Sequence, residues 1–261
     1  MSINQLLAHI LHIMCLNCAF EKLKMYVIYL EKGRNMIDEK ITQLEELLRQ
    51  VKDSYGNRLV QVSSFGAEDM VISHAAWINS IQIPIISMDT GRLHEETHNF
   101  IQRIGSIYGL KVRIVFPDSQ ELEKLLFNKG ANSFYASVEN REECCLIRKV
   151  HPLNMSLAGY EAWISGIRAD QTVNRKNSSL IEKNFDSSGR TKINPLLSWT
   201  RSDVWEYIEK NKVIYNELYD RGFASIGCSP CTRPVKEGES ERDGRWWWEN
   251  GQKECGINVR K

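Results

Sequence analysis

The sequence lacks both a long apolar run and a dominant charge. No apolar stretch reaches the roughly 18 to 20 residues that a membrane-spanning helix requires. Its 34 basic residues balance 33 acidic ones, which leaves a net charge of +1. Such a balance does not predict binding to nucleic acid or to a membrane. We therefore expect a cytoplasmic protein in which local basic clusters carry any anion recognition.

The seven cysteines lack the even count of a secreted disulfide scaffold. At 261 residues the chain is long enough for one α/β domain with a buried core, so it does not need disulfides to fold. Thiols in a reducing compartment are available to bind a metal or to react. Internal repeats are absent as well, and no segment is long enough to form a second domain.

The first 35 residues are apolar-rich but lack the basic segment and the cleavage site of a signal peptide. Cys15 and Cys18 have the spacing of a metal or redox pair, yet no second free pair completes a site. We predict that residues 1–35 form a helical extension, or that the working chain starts at Met25 or Met36. A second metal site is the alternative interpretation.

Strands and helices alternate along the rest of the chain. Strands are predicted at 59–63, 83–88, 111–116 and 162–166. Helices are predicted at 36–51, from 68 onward, and at 94–108, 120–128 and 201–211. The polar segment 172–192 is predicted to be a loop or a hairpin. This alternation predicts an α/β fold with a doubly wound, mostly parallel, Rossmann-like sheet, whose ligands bind at the carboxyl ends of the strands.

We divide the chain into an extension (1–35), an α/β domain (36–235) and a C-terminal tail (236–261). The tail is charged and punctuated by glycines, which predicts flexibility. Its three consecutive tryptophans, 246–248, are interpreted as packing for the tail rather than as a stacking platform.

The loop over residues 63–69 follows the first predicted strand and precedes a helix. Small residues there let backbone N–H groups approach a nucleotide, and a helix N-terminus favours its negative charge. A purely structural turn is an equally good interpretation of this loop alone. The candidate nucleotide-binding residues are Ser63, Ser64, Gly66 and Asp69.

Four cysteines form two separated clusters, Cys144-Cys145 and Cys228-Ser-Pro-Cys231. Four thiolates from two clusters can close around one metal centre. Zinc favours a tetrahedral Cys₄ site, but adjacent residues, whose Cα atoms are about 3.8 Å apart, place two thiolates on one ion awkwardly. A 4Fe–4S cubane offers separate irons to adjacent ligands. The residues alone favour iron–sulfur and leave zinc open.

Three loop motifs and the cysteine pattern together resemble the assimilatory sulfonucleotide reductases. The motifs are Ser-Phe-Gly-Ala-Glu-Asp at 64–69, Met-Asp-Thr-Gly-Arg-Leu at 88–93 and Gly-Ile-Arg-Ala-Asp-Gln at 166–171. With the terminal Glu-Cys-Gly at 254–256, the cysteine clusters resemble the iron–sulfur branch, the adenosine 5′-phosphosulfate (APS) reductases. The resemblance spans residues 58–258. It implies an adenine nucleotide alpha hydrolase-like fold and a structural and electrostatic 4Fe–4S cluster ligated by Cys144, Cys145, Cys228 and Cys231.

The resemblance also implies roles for individual residues. Cys255 is the implied nucleophile, and positive charge from Arg242 and Arg245 would lower the pKa of its thiol. Arginine forks and a lysine suit the oxygens of a phosphosulfate. The implied basic ligands are Lys149, Arg168, Arg175, Arg242 and Arg245. The other implied substrate-binding residues are Met88, Asp89, Gly91 and Gly166.

Two positions depart from the family pattern. Ala169 stands where a second arginine usually follows Arg168, which weakens the assignment of Arg168. Asn258 stands where the family commonly has histidine. Asparagine donates a hydrogen bond but carries no proton charge, so a role of that histidine in holding sulfate is in doubt here.

The function implied by the resemblance is reduction of APS to sulfite and AMP through an S-sulfocysteine on Cys255. Thioredoxin or a similar dithiol would release the sulfite. One alternative is the 3′-phosphorylated substrate, PAPS. Others are an ATP pyrophosphatase such as a tRNA-thiolating enzyme, whose Ser-Gly-Gly-x-Asp-Ser type loop is not matched at 64–69, and a zinc-binding module. No nucleic-acid or membrane partner is expected, and a homo-oligomer is left open.

Overall fold

The computed structural model describes residues 36–249, residue 254 and residues 256–258. The predictions for residues 1–35 and for Cys255 lie outside the described residues. The chain divides into two compact units, residues 1–43 and 44–261. Helix α1 includes residues 36–55. In the second unit its residues Leu44, Leu48 and Val51 are buried, as expected for the apolar face of an amphipathic helix.

Six strands form one sheet in the part of the chain that the structure describes. They are β1 (Leu59–Val62), β2 (Ile85–Met88), β3 (Val112–Val115), β4 (Ala162–Ile164), β5 (Ile181–Glu182) and β6 (Thr191–Ile193). Their order is β3-β2-β1-β4-β6-β5. All neighbouring pairs are parallel except β5 and β6, which are antiparallel. The doubly wound, mostly parallel sheet predicted from the sequence is confirmed.

The helices that follow the strands have clear end signals. They are α2 (Ala67–Ile78), α3 (Glu95–Tyr108), α4 (Ser119–Lys129), α5 (Val138–Cys145), α6 (His151–Ser156) and α7 (Arg201–Asn211). The Asp118 carboxylate accepts hydrogen bonds from two backbone amides at the start of α4. Thr200 and Asp203 form a capping box at the start of α7. No helix in the described ranges is long and apolar enough to cross a bilayer.

Two details differ from the sequence prediction, and one open alternative is decided. The second strand begins at Ile85, after Pro84, which has no N–H to donate to a ladder. The segment 172–192, predicted to be a loop or a hairpin, contains β5 and most of β6, which confirms the hairpin. The helical stretch from α5 to α6 was not predicted, and its two α-helices are joined by a π-helical turn at Leu146–Val150.

The strand order reverses between β1 and β4. From β1 the chain builds one half of the sheet through β2 and β3, and it then returns to start the other half at β4. The loops after β1 and β4 therefore diverge and leave a crevice at the carboxyl ends of the strands. A buried cluster that includes Val60, Ile86, Leu153 and Trp163 supports this region.

Candidate active site

The loop after β1 is held in shape by its own polar groups. The backbone N–H and the hydroxyl of Ser64 donate to Oδ2 of Asp69 at 2.7 and 3.1 Å. Burial raises the pKa of the Asp69 carboxyl, although the two hydrogen bonds from Ser64 lower it. Phe65 is fully buried with a positive φ of 57°, a backbone strain that bulky residues adopt only where the surroundings impose it. The loop is thus pre-formed.

Tyr219 closes this loop from the opposite side. The backbone N–H of Ala67, in the first turn of α2, donates to the Tyr219 hydroxyl at 2.9 Å. Burial raises the pKa of Tyr219 to about 12, so the phenol stays neutral at physiological pH. Because its oxygen already accepts one hydrogen bond, its proton is available to a ligand in the crevice.

The loop after β4 approaches α2 so closely that only glycine fits at residue 166. A Cβ at Gly166 would collide with Oδ1 of Asp69 and would lie 3.0 Å from the Asp69 backbone nitrogen. Because backbone and a buried carboxylate cannot yield cheaply, this glycine sets the distance between the two loops.

Arg168 is buried among three carboxylates. Its guanidinium contacts Glu68, lies 2.9 Å from Asp170 Oδ1 and lies 2.6 Å from Glu241 Oε2. Its side chain is 1% exposed, and it does not line the crevice. The predicted role of Arg168 in substrate binding stays a prediction, and the structure places the side chain where it ties α2, the β4 loop and the tail together.

The four described cysteines lie in one cluster. Cys144, Cys145, Cys228 and Cys231 pack together with Phe134 and Trp246, and none of the four forms a disulfide. They line one cleft, here called the cysteine cleft, of about 880 Å³. Two segments more than 80 residues apart in sequence thus bring their thiols to one place, as their pattern predicts.

Burial makes two of these thiols, those of Cys144 and Cys231, hard to ionise on their own. It raises the pKa of Cys231 to about 12 and raises the pKa of Cys144 as well. Thiolates at these positions therefore need a strong positive partner, such as a bound metal. Among the described residues, no three Cys, His, Asp or Glu side chains have the geometry to hold a single metal ion.

Polar hydrogens around the cysteine cleft lack partners. Arg148 Nε, Arg245 Nε and Trp246 Nε1 are buried without a hydrogen-bond acceptor, and all three residues line the cleft. The Thr90 hydroxyl lies 3.2 Å from Sγ of Cys228. Buried donors without acceptors are costly, so these groups fit an acceptor-rich, negatively charged occupant.

The π-helical turn places two basic residues beside the cysteine pair. Arg148 follows Cys144 by four residues, and Lys149 follows Cys145 by four. Arg148 Nη1 donates to the backbone oxygen of Thr90 at 2.7 Å. Single π-turns inside α-helices occur frequently at functional sites. Here the turn brings Lys149 to the boundary between two clefts.

A second cleft, here called the strand-end cleft, adjoins the first and has a volume of about 800 Å³. Of the predicted substrate-binding residues it includes Gly66, Asp69, Gly166, Arg175 and Arg242. Both clefts are lined by Ser63, Ser64, Met88, Lys149, Ile226 and Arg245. The structure therefore brings most of the predicted substrate-binding residues together with the cysteines.

Two further predicted residues lie outside both clefts. Asp89 accepts a hydrogen bond from the Gly91 backbone N–H at 2.8 Å and lies 2.9 Å from Nε2 of His98. Gly91 has a φ of +70°, which the turn after β2 requires. These contacts are those of a structural turn, and substrate binding by either residue stays a prediction.

The described part of the tail packs into the site. Trp246 is 1% exposed, which confirms the packing interpretation for this member of the tryptophan run. The Arg141 guanidinium lies 4.6 Å from its ring centroid and also pairs with Glu249. Arg245 is buried, and its Nη1 donates to the backbone oxygen of Ile226 at 3.0 Å.

Several residues of the site were not singled out by sequence reasoning. Arg148 had a readable signal, since its four-residue spacing from Cys144 matches that of Lys149 from Cys145. Thr90 lies inside the motif at 88–93, but it is not among the predicted substrate-binding residues. Arg141 and Tyr219 gave no signal, because their roles depend on contacts more than 100 residues away in sequence.

The comparisons with known proteins agree with this geometry. A family model described as "Phosphoadenosine phosphosulfate reductase domain" matches residues 58–234. The chain belongs to this family. Within the sulfonucleotide reductase family it is similar to an adenosine 5′-phosphosulfate reductase of Burkholderia cepacia, with 42% identity over 84% of this chain and 88% of the relative. A protein of the same name from Neisseria meningitidis serogroup B is 43% identical, over 87% and 92% of the two chains.

Solved structures confirm the fold of the reductase family. A phosphoadenylyl-sulfate (PAPS) reductase from Candida auris aligns with a TM-score of 0.62 and 28% identity, over 74% of this chain and 94% of that chain. An FMN adenylyltransferase from Candida glabrata in complex with ATP aligns with a TM-score of 0.55 and 15% identity, over 84% and 74%. At that identity the second likeness shows the fold alone.

Proposed function

We propose that this protein reduces adenosine 5′-phosphosulfate to sulfite and AMP. The observation that carries the proposal is the junction of the two clefts. There, Lys149 and Arg245 stand between four clustered cysteines and the loops at the reversal of strand order. A sulfonucleotide needs both a nucleotide crevice and a cationic site for its phosphosulfate. The curated relatives named above are APS reductases, which favours APS over other sulfonucleotides.

The substrate is proposed to lie along the strand-end cleft. Its nucleoside would pack against the loop that contains Ser64 and Asp69 and against the β4 loop at Gly166. Its phosphosulfate would contact Lys149, Arg242 and Arg245, since arginine forks match phosphate and sulfate oxygens. A charged hydrogen bond contributes about 1.5–3 kcal/mol, so the loss of any one cation should reduce kcat/KM about tenfold or more.

The proposed reaction begins with the thiolate of Cys255. It attacks the sulfate sulfur of APS, an S–S bond forms, and the bond from sulfur to the bridging oxygen breaks. AMP leaves with the electron pair of that oxygen, and the arginines stabilise its phosphate charge. A dithiol such as thioredoxin then attacks Cys255 Sγ, releases sulfite and becomes a disulfide. Sulfur is reduced by two electrons, which the dithiol supplies. The need for a reduced dithiol supports a cytoplasmic location for this protein.

We also propose that Cys144, Cys145, Cys228 and Cys231 hold a 4Fe–4S cluster. The residues present fit such a cluster, because four thiols that could ligate iron share one cleft. In addition, buried N–H groups of Arg148, Arg245 and Trp246 have no hydrogen-bond acceptor, and the sulfurs of a cluster could accept from them. When bound, the cluster would order these segments and set the electrostatic potential next to the phosphosulfate. Lys149 is the residue that would couple that charge to the substrate.

The activity is tested by measuring sulfite and AMP from anaerobically purified protein with APS or PAPS and a thioredoxin system. We expect turnover with APS to exceed that with PAPS. Sulfite from PAPS alone would reverse the substrate assignment, and neither product from either nucleotide would overturn the proposal. Hydrolysis of ATP to AMP and pyrophosphate would indicate the pyrophosphatase alternative.

The cluster is tested separately by iron and sulfide analysis and by the visible absorbance of the same preparation. Each Ser variant of Cys144, Cys145, Cys228 and Cys231 should lose iron and activity together. Cys15→Ser and Cys18→Ser serve as controls that retain both. If the analysis finds stoichiometric zinc and no sulfide, the proposed cluster is wrong and the four cysteines form a zinc site.

A further inference from the structure

The residue that precedes Cys255 is firmly anchored. Both carboxylate oxygens of Glu254 face the Arg175 guanidinium, with Nε to Oε2 at 2.9 Å and Nη2 to Oε1 at 2.7 Å. The Thr172 hydroxyl donates to Oε2 at 3.2 Å. The two charged side chains are only 8% and 7% exposed. Bidentate, charge-assisted pairs of this kind combine strength with fixed geometry.

This pairing changes what Arg175 is available to do. An arginine fork that already holds a carboxylate offers few donors to a phosphosulfate. Its remaining nitrogen, Nη1, contacts Oε1 of Gln171. Nη2 of Arg242 lies farther from the Glu254 carboxylate, at 4.0 Å. The direct partner of the Glu254 carboxylate is therefore the Arg175 guanidinium.

A second anchor lies on the other side of Cys255. Ile257 packs against both apolar clusters, the core cluster that contains Leu153 and Trp163 and the cluster of cysteines. At Gly256 a Cβ would be 3.4 Å from Cγ2 of Val150, so this backbone passes next to the π-helical turn. Residues 254 and 257 are thus fixed by different forces, one by a charged pair and one by apolar contact.

The same network also holds the start of the tail. Gln171 Nε2 donates to Oε1 of Glu68 at 3.0 Å, and Glu68 contacts Arg168, which pairs with Glu241. The loop after β4 therefore contacts the tail at two positions, Glu241 and Glu254.

We propose that Glu254 and Ile257 are positioning residues that seat Cys255 for attack, and that Arg175 anchors the tail rather than binding the phosphosulfate. The inference rests on the proposed function, because it assumes that Cys255 is the nucleophile. According to this inference, Arg175 and Glu254 raise the rate of the first chemical step. They do not contribute to the affinity for the nucleotide.

The test uses the full-length protein with APS and without reductant, which isolates one turnover. Glu254→Gln keeps the size of the side chain but removes its charge. We expect the rate of AMP release at saturating APS to fall on the order of tenfold or more, while the Kd for AMP changes less than about twofold. Glu237→Gln, an exposed carboxylate earlier in the tail, is the matched control and should retain the wild-type rate.

Arg175 provides the decisive comparison. Arg175→Gln should reproduce the slow AMP release of Glu254→Gln, and the exchange Arg175→Glu with Glu254→Arg should recover part of the rate. Ile257→Ala should also slow AMP release, with Met155→Ala, an exposed apolar residue, as its control. The iron content and the thermal unfolding midpoint of each variant are measured as well. Rates are compared only among variants in which both values match those of the wild-type protein.

The outcomes separate this inference from the proposed function. If wild-type protein releases AMP rapidly and Glu254→Gln does so at the same rate, the positioning role is overturned and the proposed function stands. An Arg175→Gln variant that binds AMP or APS at least tenfold more weakly, with an unchanged rate at saturation, would make Arg175 a substrate ligand. If the wild-type protein releases no AMP, both the proposed function and this inference fail.

Discussion

At the scale of single residues, the site depends on a close approach that only Gly166 permits. Its missing side chain lets the β4 loop lie directly against Asp69, whose carboxylate in turn orders the loop after β1. One glycine therefore sets how closely the two loops that line the strand-end cleft approach each other. The sequence motif marks this position, but only the packing explains why the residue must be glycine.

We predict that Gly166→Ala destabilises the fold by about 1–3 kcal/mol through overpacking and weakens AMP binding. The control is Gly105→Ala, in the interior of α3, where the nearest atom to an added Cβ is 3.7 Å away. That change should be neutral or stabilising by roughly 0.5–1 kcal/mol. Urea unfolding and AMP titration measure both effects. Wild-type stability and affinity in Gly166→Ala would refute the packing argument.

At the scale of elements, the buried Arg168 network joins α2, the loop after β4 and the tail. Removal of one partner from a buried ion pair leaves uncompensated charge and costs about 3–5 kcal/mol. We predict a loss of that size for Arg168→Ala, measured by urea unfolding.

Arg201→Ala is the matched control for this network. Arg201 approaches the same carboxylate, Glu241, at 3.9 Å, but its side chain is 44% exposed. An exposed pair of this kind contributes roughly 0–1 kcal/mol. Equal losses in the two variants would show that burial does not set the strength of the network.

The secondary-structure elements also show how much of the fold can be predicted from the sequence. Apolar runs and cap residues predicted β1 to β4 and α7 with errors of one or two residues, because these signals are local. The helical stretch from α5 to α6 escaped prediction. Its first half, Val138–Cys145, is charged, and the π-helical turn that follows interrupts the 3.6-residue period.

The candidate site was predictable to a similar extent. Motif order and cysteine spacing identified the four thiols, and ten of the predicted substrate-binding residues line the two clefts. The sequence could not show that the guanidinium groups of Arg168 and Arg175 form ion pairs with carboxylates. The pairs Arg168–Glu241 and Arg175–Glu254 link residues 73 and 79 positions apart, and only the folded sheet brings them together.

At the scale of the whole molecule, stability should depend on two histidines, the buried His74 and the partly buried His94. Burial lowers the pKa of His74 below its ordinary value of 6.5, and burial likewise lowers that of His94. Below pH 6.5 the unfolded chain therefore takes up protons that the folded protein does not yet bind. The free energy of unfolding should fall as the pH falls from 6.5 through the folded-state pKa values.

We predict that His74→Gln reduces this acid sensitivity, because glutamine does not titrate and still offers a hydrogen bond to the Tyr207 hydroxyl, 2.9 Å from His74 Nδ1 in the native protein. The slope attributable to one histidine is at most about 1.4 kcal/mol per pH unit. Urea unfolding at pH 7.5 and pH 5.5 gives the difference. An unchanged slope in the variant would assign the acid sensitivity elsewhere.

In the proposed mechanism, one sulfonucleotide spans the junction of the two clefts while the thiolate of Cys255 attacks it. The most direct measurement is a single turnover with APS in the absence of reductant. The wild-type protein should release AMP in an amount equal to the enzyme, and the peptide that contains Cys255 should gain the mass of one SO₃ group. Cys255→Ser should bind AMP but give neither product, because a serine hydroxyl is far less nucleophilic than a thiolate. AMP release by Cys255→Ser, or an adduct on another cysteine, would contradict the account.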